Sequence, residues 1–428
     1  MPRVSALLVA PVVLLSIVFA PGVPSVAAGT AASPSATGIR WRACGHSFEC
    51  GGLLVPVDYG NPAAGTVRIA VTRARARDPR RRIGSLVVNF GGPGDPGATS
   101  VRSFVGDVPG AIRDRYDIVG FDPRGTGHSD PIDCLSNAEE DTLNAVDPTP
   151  STTAQLRAFY NGTYDGIDVV RRCVDRYGSW LARVGTRNVA RDLDALRAAL
   201  GDARLTFLGY SYGTAIGAVY AQQFPERVGR LVLDGAVDLS ESQTSEAGED
   251  AAGFEHALDQ FLADCARRSG CDFHSGGRPS KALATLRDRF ERGLTLPTYR
   301  DDGQRQKRRA GVGAFYTALV SALYDRQYGW PELAASLALA EHGDGSGLLA
   351  LADEYNGRSP DGTYDSLAES SGVILCADSP DPMETFDQFV KEYRQASRDY
   401  PFLGAALTDT PTGCDPRLPR PSDGELLG

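Results

Sequence analysis

The stretch LTFLGYSYG, residues 205–213, decides the fold of this chain. Its first four residues are an apolar run that predicts a buried strand, and helical spacing begins at Thr214. Between them lies a G-x-S-x-G pentapeptide centred on Ser211. On a sharp strand-to-helix turn this pattern holds the serine in a strained backbone conformation, and the flanking glycines let other backbone pass closely. Ser211 is therefore the candidate catalytic nucleophile, and a glycine-rich turn without function is the alternative.

Further segments on both sides of this turn extend the pattern. The uninterrupted apolar run at residues 85–90 predicts a strand covered on both faces, residues 116–121 predict a second buried strand, and residues 230–233 predict one more short strand. Residues 52–58 and 66–71 alternate as an antiparallel pair. Helical spacing from Val189 to Leu200 ends at Gly201, so strands and helices alternate. This alternation predicts an α/β fold built on a parallel sheet.

From about residue 240 to residue 370 the pattern becomes helical, and we expect no strand there. We interpret this segment as a helical cap inserted above the edge of the sheet where ligands bind in such folds. The predicted organisation is a core at residues 29–239, a cap at 240–370, and a return segment with a tail at 371–428. A separate helical domain is the alternative.

The N-terminus has the pattern of a signal peptide over residues 1–28. Arg3 precedes an apolar stretch at residues 5–20, and small residues at 25–28 offer a cleavage site. We therefore expect a secreted, extracellular protein, with an uncut anchor helix as the alternative. No later stretch approaches the length of a membrane span.

The eight cysteines fit an exported protein. We favour sequential disulfides because short loops close readily, although eight cysteines allow 105 arrangements. The sequential pairs are Cys44–Cys50, Cys134–Cys173, Cys265–Cys271 and Cys376–Cys414. No cysteine or histidine spacing is typical of a metal site, so we expect neither a metal nor another cofactor.

The net charge of −10 argues against nucleic acid or an anionic membrane as a partner. Two basic runs, at residues 73–82 and 307–309, are interpreted as solvated hairpins. We expect a monomer whose partner is its substrate.

Acyl transfer to a serine such as Ser211 also needs hydrogen-bond donors that stabilise the negative charge developing on the substrate oxygen. By elbow geometry the backbone amide of Tyr212 is one donor, and the turn of Gly91 and Gly92 after an earlier strand should supply the second. The glycine-rich turn has neither the dinucleotide-binding pattern nor a phosphate-binding lysine, which excludes a nucleotide site.

Several motifs in order resemble the secreted tripeptidyl aminopeptidases of the α/β-hydrolase fold, a group allied to the proline iminopeptidases. The resemblance covers residues 44–414 and implies release of short peptides from free N-termini by a Ser/Asp/His triad. Phe90 and Pro96 depart from the pattern of the oxyanion loop. The motifs are NFGGPGDPG (89–97), DPRGTGHSDP (122–131), ARDLDALRAALG (190–201), GYSYGT (209–214), LDGAVD (233–238) and Trp330-Pro331.

The resemblance implies that the acid and base follow two further strands after the nucleophile. The chain has five histidines, and none follows His342. We therefore expect that the last strands of the sheet are missing and that the chain ends before the acid and base. Asp234 and His128 are weak substitutes, better explained as a turn carboxylate and a loop hydrogen bond, and His342 is expected to be solvated.

A peptidase that removes a fixed number of residues from a free N-terminus needs a carboxylate that binds the ammonium group of its substrate. Glu246, Glu249 and Asp250 at the start of the cap are the candidates, although acidic residues also favour a helix N-terminus for structural reasons. The predicted function is a secreted tripeptide-releasing serine exopeptidase. A catalytically impaired, truncated homologue that binds peptides and an esterase of small substrates are the alternatives.

Overall fold

A mixed seven-stranded sheet carries the nucleophile turn. The computed structural model describes residues 38–421 except 46, 240–242, 301 and 380, and it leaves out the side chains of 243–246. The expected signal peptide therefore lies outside the described residues. The sheet has the order β1-β2-β3-β5-β4-β8-β9. Its strands are β1 Arg42–Ala43, β2 Phe48–Pro56, β3 Thr66–Ala74, β4 Gly84–Asn89, β5 Tyr116–Phe121, β8 Leu205–Tyr210 and β9 Val228–Asp234.

The sheet divides into an antiparallel and a parallel half. Strands β1, β2, β3 and β5 pair antiparallel, whereas β5, β4, β8 and β9 pair parallel. All six residues of β4 are buried, as expected for a strand covered on both faces. The predicted strands and the predicted antiparallel pair are confirmed, with shifts of a few residues at most ends.

Helices flank the sheet and make up most of the later chain. Helix α6, which carries the predicted apolar spacing, buries Val189, Leu193 and Leu196. None of the helices in the described residues is long and apolar enough to cross a bilayer. The helices are α1 Gly97–Phe104, α2 Gly110–Arg113, α3 Asn137–Leu143, α4 Thr153–Tyr160, α5 Val169–Tyr177, α6 Thr186–Ala199, α7 Tyr212–Gln223, α8 Gln243–Arg267, α9 Pro279–Glu291, α10 Val312–Leu323, α11 Gly329–Glu341, α12 Ser346–Tyr355, α13 Leu367–Asp378, α14 Phe386–Asp399 and α15 Gly404–Leu407.

Two small hairpins complete the secondary structure. Strands β6 Thr163–Tyr164 and β7 Ile167–Asp168 form one, and β10 Leu296–Tyr299 and β11 Arg305–Ala310 form the other. The second hairpin corrects the expectation that the segment 240–370 has no strand. Exposed Arg305, Lys307 and Arg309 alternate along β11, so an apolar pattern is missing although Leu296 and Ala310 pair and are buried. The basic run 307–309 thus lies on a solvated hairpin, as predicted.

The hydrophobic residues form separate clusters. One joins the sheet to α6, α7 and part of α13. A second lies between helices α8 to α12 and includes Leu258, Phe315 and Leu337. The segment between residues 258 and 352 therefore has a core of its own.

Four disulfides cross-link the described chain. They join Cys44 to Cys50, Cys134 to Cys173, Cys265 to Cys271 and Cys376 to Cys414. The predicted sequential pairing is confirmed. The last bridge ties α13 to the segment after α15.

Candidate active site

Ser211 lies on the predicted sharp turn between β8 and α7. Its backbone angles are φ 50° and ψ −125°, a left-handed conformation that is unusual for a residue with a side chain. Ser211 is exposed, and its amide donates to the carbonyl of Asp234 at 2.9 Å. The serine is thus held against the end of the neighbouring strand β9. Strained backbone of this kind is typical of functional sites.

The glycines of the pentapeptide allow this turn to close. A Cβ atom at Gly209 would lie 2.4 Å from the carbonyl oxygen of Gly213. Atoms cannot approach so closely, and a side chain at position 209 would therefore force the strand away from the helix.

The turn after β4 packs directly against the elbow. Gly91 has φ +100°, and a Cβ there would lie 2.8 Å from the Tyr210 carbonyl and 3.1 Å from the Ser211 Cβ. The Gly91 amide donates to the Asn89 side-chain oxygen at 3.1 Å, and Gly91 is buried whereas Gly92 is exposed. The expectation that Gly91 contributes to the oxyanion hole needs correction, because its amide is already bound. Gly92 remains the candidate donor of this turn.

Tyr212 begins helix α7, where the first amides have no acceptor within the helix. Its hydroxyl donates to the carboxylate of Asp378 at the end of α13, and Thr186 also binds this carboxylate, from its hydroxyl at 2.8 Å and its amide at 2.7 Å. Burial raises the pKa of Asp378 to about 6, although these hydrogen bonds oppose the rise. The sequence contained no signal for this contact.

Ser211, Gly92 and Tyr212 line one cavity of about 530 Å³. Most of its other lining residues are apolar or aromatic, which is typical of a small-molecule or peptide site. Among them are Phe159, Tyr160, Tyr164, Val169, Val237, Val373, Met383, Leu407 and Leu418. The cavity thus places a candidate nucleophile beside apolar surface.

Glu369 of α13 also lines this cavity. Its two oxygens accept the amides of Cys134 and Leu135, each at 2.8 Å. Burial and the adjacent Glu140 raise the pKa of Glu369 to about 8, and burial raises that of Glu140 to about 7. Glu369 therefore holds the segment after β5 against α13.

The three acidic candidates for substrate binding differ in position. Asp250 lines the cavity, and desolvation followed by the neighbouring charge of Glu249 raises the pKa of Asp250. Both residues are exposed, but Glu249 does not belong to the lining residues of the cavity. The side chain of Glu246 lies outside the described residues. Asp250 is therefore the candidate that the structure brings to the nucleophile's cavity.

None of the substitutes considered for the acid and base lines the cavity of Ser211. The side chain of Asp234 is exposed, and only its carbonyl binds Ser211. His128 is exposed, with its amide 2.8 Å and its Nδ1 3.3 Å from a carboxylate oxygen of Asp122. His342 is exposed at the end of α11, and no described histidine lines the cavity.

Metal-ligating side chains are dispersed. Within the part of the chain that the structure describes, no group of three or more histidine, cysteine, aspartate or glutamate residues has the arrangement of a metal site.

Comparison with known proteins identifies the family of the chain. The family model for the alpha/beta hydrolase fold matches residues 84–331. The chain is 38% identical over 396 residues to the serine protease Hip1 of Mycobacterium tuberculosis, covering 88% of this chain and 74% of that protein. It is 35% identical over 381 residues to carboxylesterase B of the same species, covering 85% and 69%. It is 39% identical over 250 residues to the tripeptidyl aminopeptidase of Streptomyces coelicolor, covering 55% and 43%.

Proposed function

Because the chain belongs to the α/β-hydrolase family, we propose that it is a serine peptidase that releases tripeptides from free N-termini. The observation that carries the proposal is Ser211, which stands exposed at a left-handed turn on the wall of the cavity. The similarity to Hip1 and to a tripeptidyl aminopeptidase supports peptides as the substrate class.

In the proposed reaction the Ser211 hydroxyl attacks the carbonyl carbon of the scissile bond. The amides of Gly92 and Tyr212 donate to the oxygen that becomes negative, which lowers the barrier because these dipoles are oriented in advance. The C–N bond then breaks and the amine leaves with the proton that the Ser211 hydroxyl has given up. Water hydrolyses the acyl-enzyme, which releases the carboxylic acid and restores the hydroxyl.

Apolar walls and one carboxylate support the preference for short peptides. The aromatic and aliphatic residues around the cavity offer surface for substrate side chains. In the proposal Asp250 pairs with the ammonium at the substrate N-terminus, and this ion pair sets how far the peptide enters.

Labelling with a fluorophosphonate tests the nucleophile. We expect labelled peptide to map to Ser211, and Ser211→Ala to abolish the label. Ser103→Ala, at an exposed serine of α1, is the matched control and should label like the wild type. Label on another serine in the wild type would contradict the proposal.

A pair of tripeptide substrates that carry a chromophore tests the exopeptidase function. One has a free amine and the other is N-acetylated. We expect cleavage of the first only, because acetylation removes the charge that Asp250 would bind. Equal rates on both would exclude an aminopeptidase.

An esterase of small substrates is the second candidate function, favoured by the similarity to carboxylesterase B and by the apolar cavity. A short-chain nitrophenyl ester hydrolysed while both peptides are spared would support it. A third candidate is a protein that binds peptides without turnover, favoured by the positions of the four described histidines away from the cavity. Peptide binding by calorimetry without labelling of Ser211 would support that.

We also propose that the protein is secreted. The four disulfides support this, because disulfides persist in oxidising compartments. N-terminal sequencing of protein from the culture medium should find a start near residue 29. A thiol count above zero in the folded protein would contradict the proposal.

A further inference from the structure

We propose that Asn89 is a positioning residue that locks the Gly91–Gly92 turn against the nucleophile elbow, so that the Gly92 amide serves as an oxyanion donor. The inference rests on the proposed function and adds a residue that touches neither the substrate nor the reacting atoms. It begins from the place of Asn89 in the sheet. Asn89 is the last residue of β4 and pairs with Gly209, the first glycine of the elbow.

The side-chain oxygen of Asn89 determines which way the Gly91 amide points. It accepts this amide at 3.1 Å, and Asn89 is fully buried. A side chain that binds backbone two residues ahead fixes the turn that follows it. With the Gly91 amide turned inward, Gly92 is the exposed glycine of the turn.

Asn89 also lies against the nucleophile helix. A Cβ at Gly213, in the first turn of α7, would lie 2.7 Å from the Asn89 side-chain oxygen and 2.8 Å from its carbonyl. Asn89 is therefore packed between the loop that bears Gly92 and the helix that begins at Tyr212. These two elements carry the two candidate donors.

The amide nitrogen of Asn89 has no hydrogen-bond partner among the described residues, although it is buried. A buried donor without a partner is destabilising. Stability alone therefore gives no reason for an amide at this position, whereas the oxygen has a defined role. Buried groups left unsatisfied are often explained by function.

The test measures how fast a fluorophosphonate labels Ser211 in the wild type, Asn89→Ala, Asn89→Asp and Ser129→Ala. Ser129 is the matched control, since its buried hydroxyl accepts the backbone amide of Ala70 at 2.8 Å, in another loop. Loss of one oxyanion donor slows catalysis about a hundredfold or more. We expect a loss of this order in Asn89→Ala, and a rate near the wild type in Ser129→Ala after correction for the folded fraction.

Asn89→Asp keeps the accepting oxygen and covers the case in which Asn89→Ala does not fold. While the new carboxyl is protonated, its rate should be close to that of the wild type. When it ionises, its charge opposes the oxyanion, so the ratio of variant to wild-type rate should fall as pH rises. A role that is only structural would not give this pH profile, and a flat ratio would overturn the proposal.

Hydrogen exchange of the backbone separates this inference from the proposed function. Mass spectrometry of the peptide covering residues 89–97 should show faster exchange in Asn89→Ala than in the wild type, and no change in Ser129→Ala. This result is expected even if the wild type is not labelled, an outcome that would count against the proposed function alone. Unchanged exchange at Gly91, or full labelling of folded Asn89→Ala, would overturn the role of Asn89.

Discussion

The hydroxyl of Tyr212 donates to the buried carboxylate of Asp378, a residue 166 positions further along the chain. The residue that follows the nucleophile is thus fastened to the end of α13. Thr186 at the start of α6 binds the same carboxylate, so three distant segments meet behind the elbow.

This carboxylate should make stability depend on pH. Burial raises the pKa of Asp378 from 3.8 to about 6, so the folded state binds its proton more tightly than the unfolded state does. The resulting stabilisation is fully present below pH 3.8 and is lost as pH rises through about 6. A shift of this size corresponds to roughly 3 kcal/mol.

Urea unfolding of the wild type and Asp378→Asn at pH 4, 5, 6 and 7 tests this. The amide cannot ionise, so we expect the stability of the wild type to fall relative to the variant across this range. Curves that stay parallel would show that Asp378 does not titrate there.

Gly209→Ala should damage the elbow. The new methyl group would lie 2.4 Å from the Gly213 carbonyl, and we expect a loss of about 1–3 kcal/mol or more together with loss of Ser211 labelling. Gly253→Ala in α8 is the matched control. No heavy atom lies within 4 Å of its Cβ position, so it should stabilise by about 0.5–1 kcal/mol. Thermal unfolding measures both, and a neutral Gly209→Ala would contradict the close contact.

Removing a disulfide should lower the stability of the protein by more when the loop that it closes is longer. Cys376 and Cys414 are separated by 38 residues, and Cys44 and Cys50 by 6. On the chain-entropy account the first bridge contributes about 4 kcal/mol and the second about 2 kcal/mol. Denaturation of the two double-serine variants should give losses in that order. The reverse order would show that contacts in the folded state outweigh loop closure.

Asp250→Asn should impair only substrates that carry a free amine. Loss of a charged hydrogen bond costs about 1.5–3 kcal/mol, so kcat/KM for the tripeptide should fall about tenfold to a hundredfold. Hydrolysis of a simple ester should not change. Glu249→Gln removes the adjacent charge, which lies outside the cavity, and is the control. Equal effects of both changes on the peptide would point to the general charge of this region.

Local pattern predicted much of the fold. Strand β5 was predicted at its observed bounds, Tyr116–Phe121, because its mostly apolar residues end at the polar turn that begins at Asp122. The turn at Ser211 was predicted because strand, glycines and helix occupy adjacent positions. The sequential disulfides were favoured by loop closure and are present.

Contacts between distant residues could not be predicted in this way. Nothing in the local sequence connects Asp378 to Tyr212, or Glu369 to the amides of Cys134 and Leu135. Whether the Gly91 amide is already hydrogen-bonded depends on the orientation of the Asn89 side chain. The spacing of residues in the sequence does not reveal that orientation. The hairpin of β10 and β11 was missed because its strands bury few apolar residues.

Helix α13 limits how the protein can be re-engineered. Its first turn contacts the oxyanion loop, since a Cβ at Gly94 would lie 3.3 Å from Leu367, and its last turn carries Cys376 and Asp378. A chimaera that exchanges the helical segment of a relative must therefore join the chains before Leu367. A junction after Asp378 would import a foreign helix into the wall behind the nucleophile, and altered specificity would then be inseparable from an altered elbow.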